Sequence, residues 1–287
     1  DVIMPVGLDH TEYLGDTIAE IAGEKAGIIR SADAVAVIAQ QEPDAMRVIL
    51  ERAVEIGAPV ARLGTEFDVA SSEVAVGGQR LTLRGLSGEY DDIFVPLSGP
   101  HQAQNASVAL AVVEAFHGAS SERQLDPDAV RAGFAAASSP GRLERVRATP
   151  TTFIDATHNP HGARALARAI ERDFDFARLI GVLGILGDKD ARGIMEALEP
   201  VLTEVVVTQN SSPRAEDAYE LAETAREVFG DERVHVEEHL PAAYALAVEL
   251  AEEALAEVGV QSGSGVLITG SVVTAGEARA MFGKDPQ

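Results

Sequence analysis

The chain contains no cysteine, which excludes disulfides, thiolate metal sites and cysteine nucleophiles. It has no run of about 18 apolar residues, so the sequence offers no transmembrane helix. The opening segment Asp1-Val2-Ile3-Met4-Pro5 lacks the basic and apolar regions of a signal peptide. Positive charge is scarce: 23 Lys and Arg stand against 46 Asp and Glu, for a net charge of −23. That balance argues against a nucleic-acid binder, because the phosphate backbone demands clustered cations. It leaves room for a nucleotide site, where local groups and backbone amides decide binding. Lysine is the scarcest cation, present only as Lys25, Lys189 and Lys284. The phosphate-cradling pattern G-x-x-x-x-G-K-[ST] does not occur.

What remains is a chain of 287 residues, 46% of them hydrophobic, enough for two buried cores at common domain sizes. A cytoplasmic location fits it best. It opens without methionine on a strand-like segment, from which we expect a truncated record or a fragment.

Hydrophobic periodicity predicts a strand, a helix over about 16–29, strands at 34–39 and 59–62, and a helix at about 43–56. From Glu66 to Pro96 the period falls to two, with Gly77-Gly78 and Gly85 to Gly88 as turns, which predicts a small antiparallel sheet. Helices follow at about 104–116 and 127–137, the second opened by Pro127. Ser138-Ser139-Pro140-Gly141 is the best linker. Beyond it, strands at 152–155, 179–183, 205–208, 234–236 and 266–269 alternate with helices at about 160–173, 190–198, 215–229, 241–257 and 274–282. Such alternation predicts a parallel sheet with helices on its faces, and ligands bind such sheets at the carboxyl ends of the strands.

Several polar groups carry candidate chemistry. Thr17 and Glu20 are spaced as a capping box. Ile18, Ile21, Ala22, Lys25 and Ile28 or Ile29 then share a stripe, so Lys25 is expected on a buried face. Its bland explanation is a stem lying over the core with its ammonium in water. The sharper one is a lowered pKa, with the neutral amine taking up carbon dioxide to give a carbamate, an oxygen ligand for a metal that His10 also serves. In Asp155-Ala156-Thr157-His158-Asn159-Pro160, capping accounts for Asn159 and Pro160 but not for Asp155, which can hold a nucleotide hydroxyl, or His158, which can hold a carboxylate. Pro140-Gly141-Arg142-Leu143-Glu144 reads either as a turn with a surface ion pair or as an arginine gripping phosphate. Gly187-Asp188-Lys189-Asp190 reads as a helix start with acids complementing the dipole, and Thr269-Gly270-Ser271 as a turn whose amides suit an anion. His101-Gln102-Ala103-Gln104-Asn105 opens a helix. His117, His161, His235 and His239 show no metal spacing and are assigned to the surface or to caps.

In this order, the segments GLDHTEYLGDT with IAGEKAGII, GPHQAQNASVAL, SPGRLE, DATHNPHGA, GDKD, SPRA and TGSVVTAGEAR resemble the folylpolyglutamate synthase/dihydrofolate synthase branch of the Mur ligase superfamily. Several are closest to actinobacterial members. One departure is Thr157, where the family more often has a small residue. The resemblance implies an α/β chain in two parts: residues 1–140 as the latter part of a Mur-type ATPase domain, without its phosphate loop, and residues 141–287 as a C-terminal Rossmann-like domain. It implies ATP and Mg2+ as cofactors, with K+ as a further cation. His10 would ligate magnesium, and Lys25 would serve the metal centre as a carbamate. Asn105, Arg142 and Asp155 would contact ATP, while His158 and Ser271 would hold glutamate, with Lys25 and His158 the catalytic pair.

The implied reaction adds L-glutamate to dihydropteroate or folates through an acyl phosphate. It needs charge neutralisation on the transferring phosphoryl group and closure at the Ser138–Gly141 hinge. The implied partners are these small molecules alone, with no nucleic acid and no membrane, and the chain is expected to be monomeric. Without the phosphate loop, the 287-residue chain is expected not to turn over ATP. The rival readings are another Mur-type amide ligase and a non-catalytic remnant that binds nucleotide or glutamate. Which acceptor is used does not follow from these residues.

Overall fold

A computed structural model describes residues 1–8, 14–118, 123–258 and 263–285, except the side chains of 254–258. It divides into two compact units, Asp1–Ser138 and Ser139–Gln287.

In the first unit, β1 (Val2–Ile3), β2 (Ala36–Ile38) and β3 (Val60–Arg62) form a parallel sheet in the order β1-β2-β3. Helix α1 (Ile18–Ala26) starts at the expected capping box: Thr17 accepts from the Glu20 N–H, and the Glu20 carboxylate accepts from Thr17. Helix α2 (Pro43–Ile56) opens on its proline and closes on Gly57 in the left-handed region, as the fixed φ of one and the freedom of the other allow. Strands β4 (Asp68–Ala75), β5 (Gly78–Arg84) and β6 (Glu89–Val95) form the expected antiparallel sheet. Helix α3 (Pro100–His117) begins four residues earlier than the periodicity indicated, because Pro100 takes its first turn. Its Ala103, Ala106 and Leu110 pack on the β4–β6 core, while Val108 and Ala111 pack with Val37, Ala61 and Phe67. A helix covered on two sides needs apolar residues around most of its girth. Helix α4 (Pro127–Ala135) is capped by Asp126.

The second unit is a six-stranded sheet in three layers. Its strands are β7 (Glu144–Ala148), β8 (Thr151–Ile154), β9 (Phe176–Leu183), β10 (Glu204–Gln209), β11 (Val234–His239) and β12 (Gly263–Thr269), in the spatial order β11-β10-β9-β12-β8-β7. Five strands run parallel, and β7 adds an antiparallel edge that the sequence pattern did not reveal. The helices α5 (Pro160–Asp173), α6 (Ala191–Leu198), α7 (Ala218–Phe229), α8 (Leu240–Val258) and α9 (Val272–Met281) connect them. Alternate residues feed opposite cores. Leu179, Leu183, Val205, Val207 and Leu267 join the α5–α7 face, and Ile180, Val182, Val206, Val266 and Ile268 join the α8–α9 face. A strand buried on both faces reads as a continuous apolar run, which is why these strands were legible.

No helix among the described residues is long and apolar enough to cross a membrane.

Candidate functional site

Strand order places the chemistry of the second unit. The chain passes from β8 to β9 across the position that β12 later fills, so the order reverses there. Open sheets of this kind bind ligands at the carboxyl ends beside such a reversal. Because β7 is antiparallel to β8, with Glu144 opposite Ile154, the turn before β7 lies beside the segment that leaves β8. Two sequence motifs far apart in spacing, Gly141–Glu144 and Asp155–Pro160, are thereby neighbours.

Asp155 joins them. It is 6% exposed, one oxygen accepts the Leu143 N–H at 2.8 Å, and the other accepts the Thr157 N–H at 2.8 Å. The Ala156 N–H adds a third tie, donating to the Gly141 carbonyl at 2.7 Å. A carboxylate oxygen carries more than one lone pair, so these bonds leave Asp155 capacity for a ligand donor. Within the turn, Gly141 (φ 67°) and Leu143 (φ 43°) both have positive φ. The glycine takes that conformation at no steric cost, whereas the leucine does so under strain. Between them, Arg142 is exposed and makes no side-chain ion pair among the described residues.

Glu144 corrects one expectation. It forms no pair with Arg142; its carboxylate accepts from the Gly141 N–H at 2.9 Å, from Lys284 at 2.8 Å and from Arg279. Burial pushes the Glu144 carboxyl up, but Lys284, the Gly141 N–H and Arg279 together outweigh it and hold the group below its ordinary value.

After Asp155, Asn159 caps α5 by accepting the Gly162 N–H at 2.8 Å, and Pro160 is the first helical residue. His158, partly buried, sets Nδ1 at 3.1 Å from the Ala156 carbonyl. A carbonyl only accepts, so Nδ1 carries a proton.

Ser271 is fully buried and caps α9, accepting the Thr274 N–H at 2.9 Å and an Asn210 amide N–H at 3.2 Å. Asn210, within the polar cluster that ends β10, also donates to the Thr274 hydroxyl at 3.0 Å and so ties the end of β10 to the turn after β12. The buried hydroxyls of Thr208 and Thr269 at these strand ends have no hydrogen-bond partner among the described residues. Gly187–Asp190 and Ser211–Arg214 are zipped together: Gly187 N–H donates to the Arg214 carbonyl at 2.9 Å, and Arg214 pairs with Asp188 at 2.5 Å. Burial raises Asp188, yet Arg214, its own backbone N–H and Lys189 bring it below the ordinary aspartate value. His235, assigned from spacing to the surface or a cap, sits in β11 with Nε2 at 2.7 Å from Glu204.

In the first unit, Asn105 is partly buried on α3 and donates to the Gln102 side chain at 3.1 Å. Lys25 is not on a buried face, which corrects the stripe expectation. Helix α1 ends at Ala26, and it packs through Ile21, Ala22 and Ala26. Lys25 stands one residue from the helix end with its side chain exposed, and in that last turn its ammonium complements the helix dipole. Ile28, beyond the helix end, is exposed too, whereas Ile29 is buried. His10 lies outside the described residues. Among the described residues no group of three or more His, Asp or Glu side chains is placed to hold a metal ion. They do not by themselves make up a cation site.

Residues 141–272 match the family model of the Mur ligase glutamate ligase domain. The whole chain is 56% identical to the dihydrofolate synthase/folylpolyglutamate synthase of Mycobacterium tuberculosis. The chain belongs to the folylpolyglutamate/dihydrofolate synthase family. It spans 61% of the length of that relative. A solved structure of the Mycobacterium tuberculosis folylpolyglutamate synthase complexed with ADP superposes with a TM-score of 0.94 at 56% identity, over 100% of this chain and 64% of that one. A folylpolyglutamate synthase solved with AMPPCP and folate superposes with a TM-score of 0.74 at 29% identity, over 98% of this chain and 60% of that one. Family membership thus rests on the length of the chain, and the Arg142 and Asp155 segments both lie in or at the edge of the glutamate ligase domain.

Proposed function

We propose that the protein to which this chain belongs is an ATP-dependent ligase that adds L-glutamate to dihydropteroate, to folates, or to both. The observation that carries the reading is the Asp155 carboxylate, which fastens an exposed arginine turn and a histidine loop at the carboxyl edge of a glutamate ligase domain. A relative at 56% identity solved with ADP, and another relative solved with AMPPCP and folate, support ATP and a folate-type acceptor.

In this reading the acceptor carboxylate attacks the γ-phosphorus, the bond to the ADP oxygen breaks, and an acyl phosphate forms. The glutamate amine then adds to the acyl carbon, gives up a proton, and the tetrahedral intermediate expels phosphate. Arg142 supplies a fixed positive charge to the nucleotide phosphates, a geometry suited to the planar guanidinium. Asp155 takes a nucleotide hydroxyl, and Asn105 adds a polar contact from α3. His158 holds a carboxylate of the incoming glutamate. Ser271 enters through the turn that it caps, since its hydroxyl is already engaged. Magnesium, with K+ as a further cation, would neutralise phosphate charge when bound, with His10 and a carbamylated Lys25 as its proposed ligands. The working form is a cytoplasmic monomer acting on small molecules.

The test is ligation by the complete open reading frame, supplied with ATP, L-glutamate and either acceptor. Release of ADP that requires both acceptor and glutamate is expected, and the Lys25→Ala variant is expected to abolish it. ADP release indifferent to both acceptors would point to another Mur-type ligase. Full activity in the Lys25 variant would remove Lys25 from the centre.

A further inference from the structure

The turn that presents Arg142 is held at more points than a turn of four residues needs. The Gly141 N–H goes to Glu144, the Gly141 carbonyl to Ala156, the Arg142 N–H to the Ser139 carbonyl and the Leu143 N–H to Asp155. Leu143, strained at φ 43°, is buried in the α5–α7 core. A strained residue persists only where its surroundings over-determine it, and such strain gathers at functional sites.

Glu144 is itself held from the far end of the chain. Arg279 and Lys284 converge on its carboxylate, the Arg279 Nε donates to the Asp285 carbonyl at 2.8 Å, and the Lys284 N–H donates to the Arg279 carbonyl at 2.9 Å. On this largely buried carboxylate, Lys284 takes Oε1, while Arg279 and the Gly141 N–H share Oε2. The Arg142 guanidinium makes no such bond.

We propose that Glu144 is a positioning residue for Arg142. Clamped by Arg279 and Lys284, it fixes the Gly141 backbone so that the guanidinium is presented in its binding direction before nucleotide arrives. The proposal rests on the reading of Arg142 as a nucleotide contact. Preorganisation of this kind improves affinity by removing an ordering cost from the binding step. It makes Arg279 and Lys284 part of the nucleotide site's support.

The experiment is a double-mutant cycle in the complete open reading frame, reading the dissociation constant for AMPPCP beside the thermal midpoint. Glu144→Ala is expected to weaken AMPPCP about tenfold, the scale of one charge-assisted hydrogen bond. Glu144→Gln, which keeps an acceptor for the Gly141 N–H, should recover part of that loss. Lys284→Met, at a partly exposed position, should weaken binding to a smaller degree. In a background of Arg142→Ala the Glu144 substitutions should have no further effect, because the group that they position is gone.

Additive losses, or a lower midpoint with an unchanged dissociation constant in all three variants, would make Glu144 a stabiliser only and overturn the proposal. An Arg142→Ala variant that binds AMPPCP as tightly as the parent would instead overturn the reading of Arg142 on which it rests. Should Glu144→Ala fail to fold, Glu144→Gln and Lys284→Met carry the same cycle.

Discussion

Replacing Asp155 by alanine is expected to destabilise the second unit by roughly 2–6 kcal/mol, because two buried backbone N–H groups lose their acceptor at about 1–3 kcal/mol each. Those groups belong to Leu143 and Thr157. The loss reaches both segments that the site depends on, and it releases the strain held at Leu143. Asp155→Asn would keep one acceptor and set an amide NH2 against the other N–H, so an intermediate loss is expected. Ser271→Ala is a useful scale, since an N-cap is worth about 1 kcal/mol and Ser271 also serves Asn210. Thermal unfolding of the three variants checks the order, and amide exchange at Leu143 and Thr157 checks the cause. A Ser271 variant that unfolds before the Asp155→Ala variant would contradict the account.

Glu114→Ala should be the most damaging change in the first unit. Glu114 is fully buried, yet it pairs with no cation among the described residues. Its carboxylate accepts from the backbone N–H groups of Leu86 and Ser87, from the Ser87 hydroxyl and from the Tyr90 hydroxyl. Gly85 permits this approach, for a Cβ there would lie 2.4 Å from a carboxylate oxygen. Burial pushes the Tyr90 phenol up; its bond with Ser87 opposes that, and the bond and charge of Glu114 reinforce it, so the phenol remains a donor. Truncation takes the acceptor from four donors and leaves the Ser87 and Tyr90 hydroxyls only each other to donate to, so a loss of about 3–5 kcal/mol is expected, in the range seen when a buried charge network is broken. Gly85→Ala should mimic it in direction by displacing the carboxylate. Exchange protection across Ser87–Val95 is the measurement, and protection unchanged in both variants would show that the network holds nothing.

The fold was legible where burial imposes a period. The strands β8, β9, β10 and β12 announced themselves as apolar runs because both faces of the sheet are covered, and the caps Asn159 and Thr17 stood where their side chains reach the first turn. Strand β7 was not legible, since on this edge strand Val146 alone packs against the core, between the charged Arg145 and Arg147, too short an apolar signal to show a period. Helix periodicity put Lys25 on the core side, but the helix ends one residue later, at Ala26, and the lysine stands exposed in its last turn.

Of the site, the residue types were legible and their connections were not. Asp155 was visible as an acid ending a strand, but nothing in its spacing shows that it grips the Arg142 turn twelve positions upstream. The partners of Glu144 lie at Arg279 and Lys284, 135 and 140 positions away, beyond the reach of any local pattern. The role of Asn210 was not legible because it joins two strand ends that only the sheet order brings together.

The most direct measurement is a crystal structure of the complete open reading frame bound to AMPPCP. The account predicts the Arg142 guanidinium on the phosphates and the Asp155 carboxylate within hydrogen-bonding reach of the nucleotide, with both backbone anchors of Asp155 intact. A nucleotide seated elsewhere, with Arg142 in solvent and the Gly141–Leu143 turn unchanged, would contradict it.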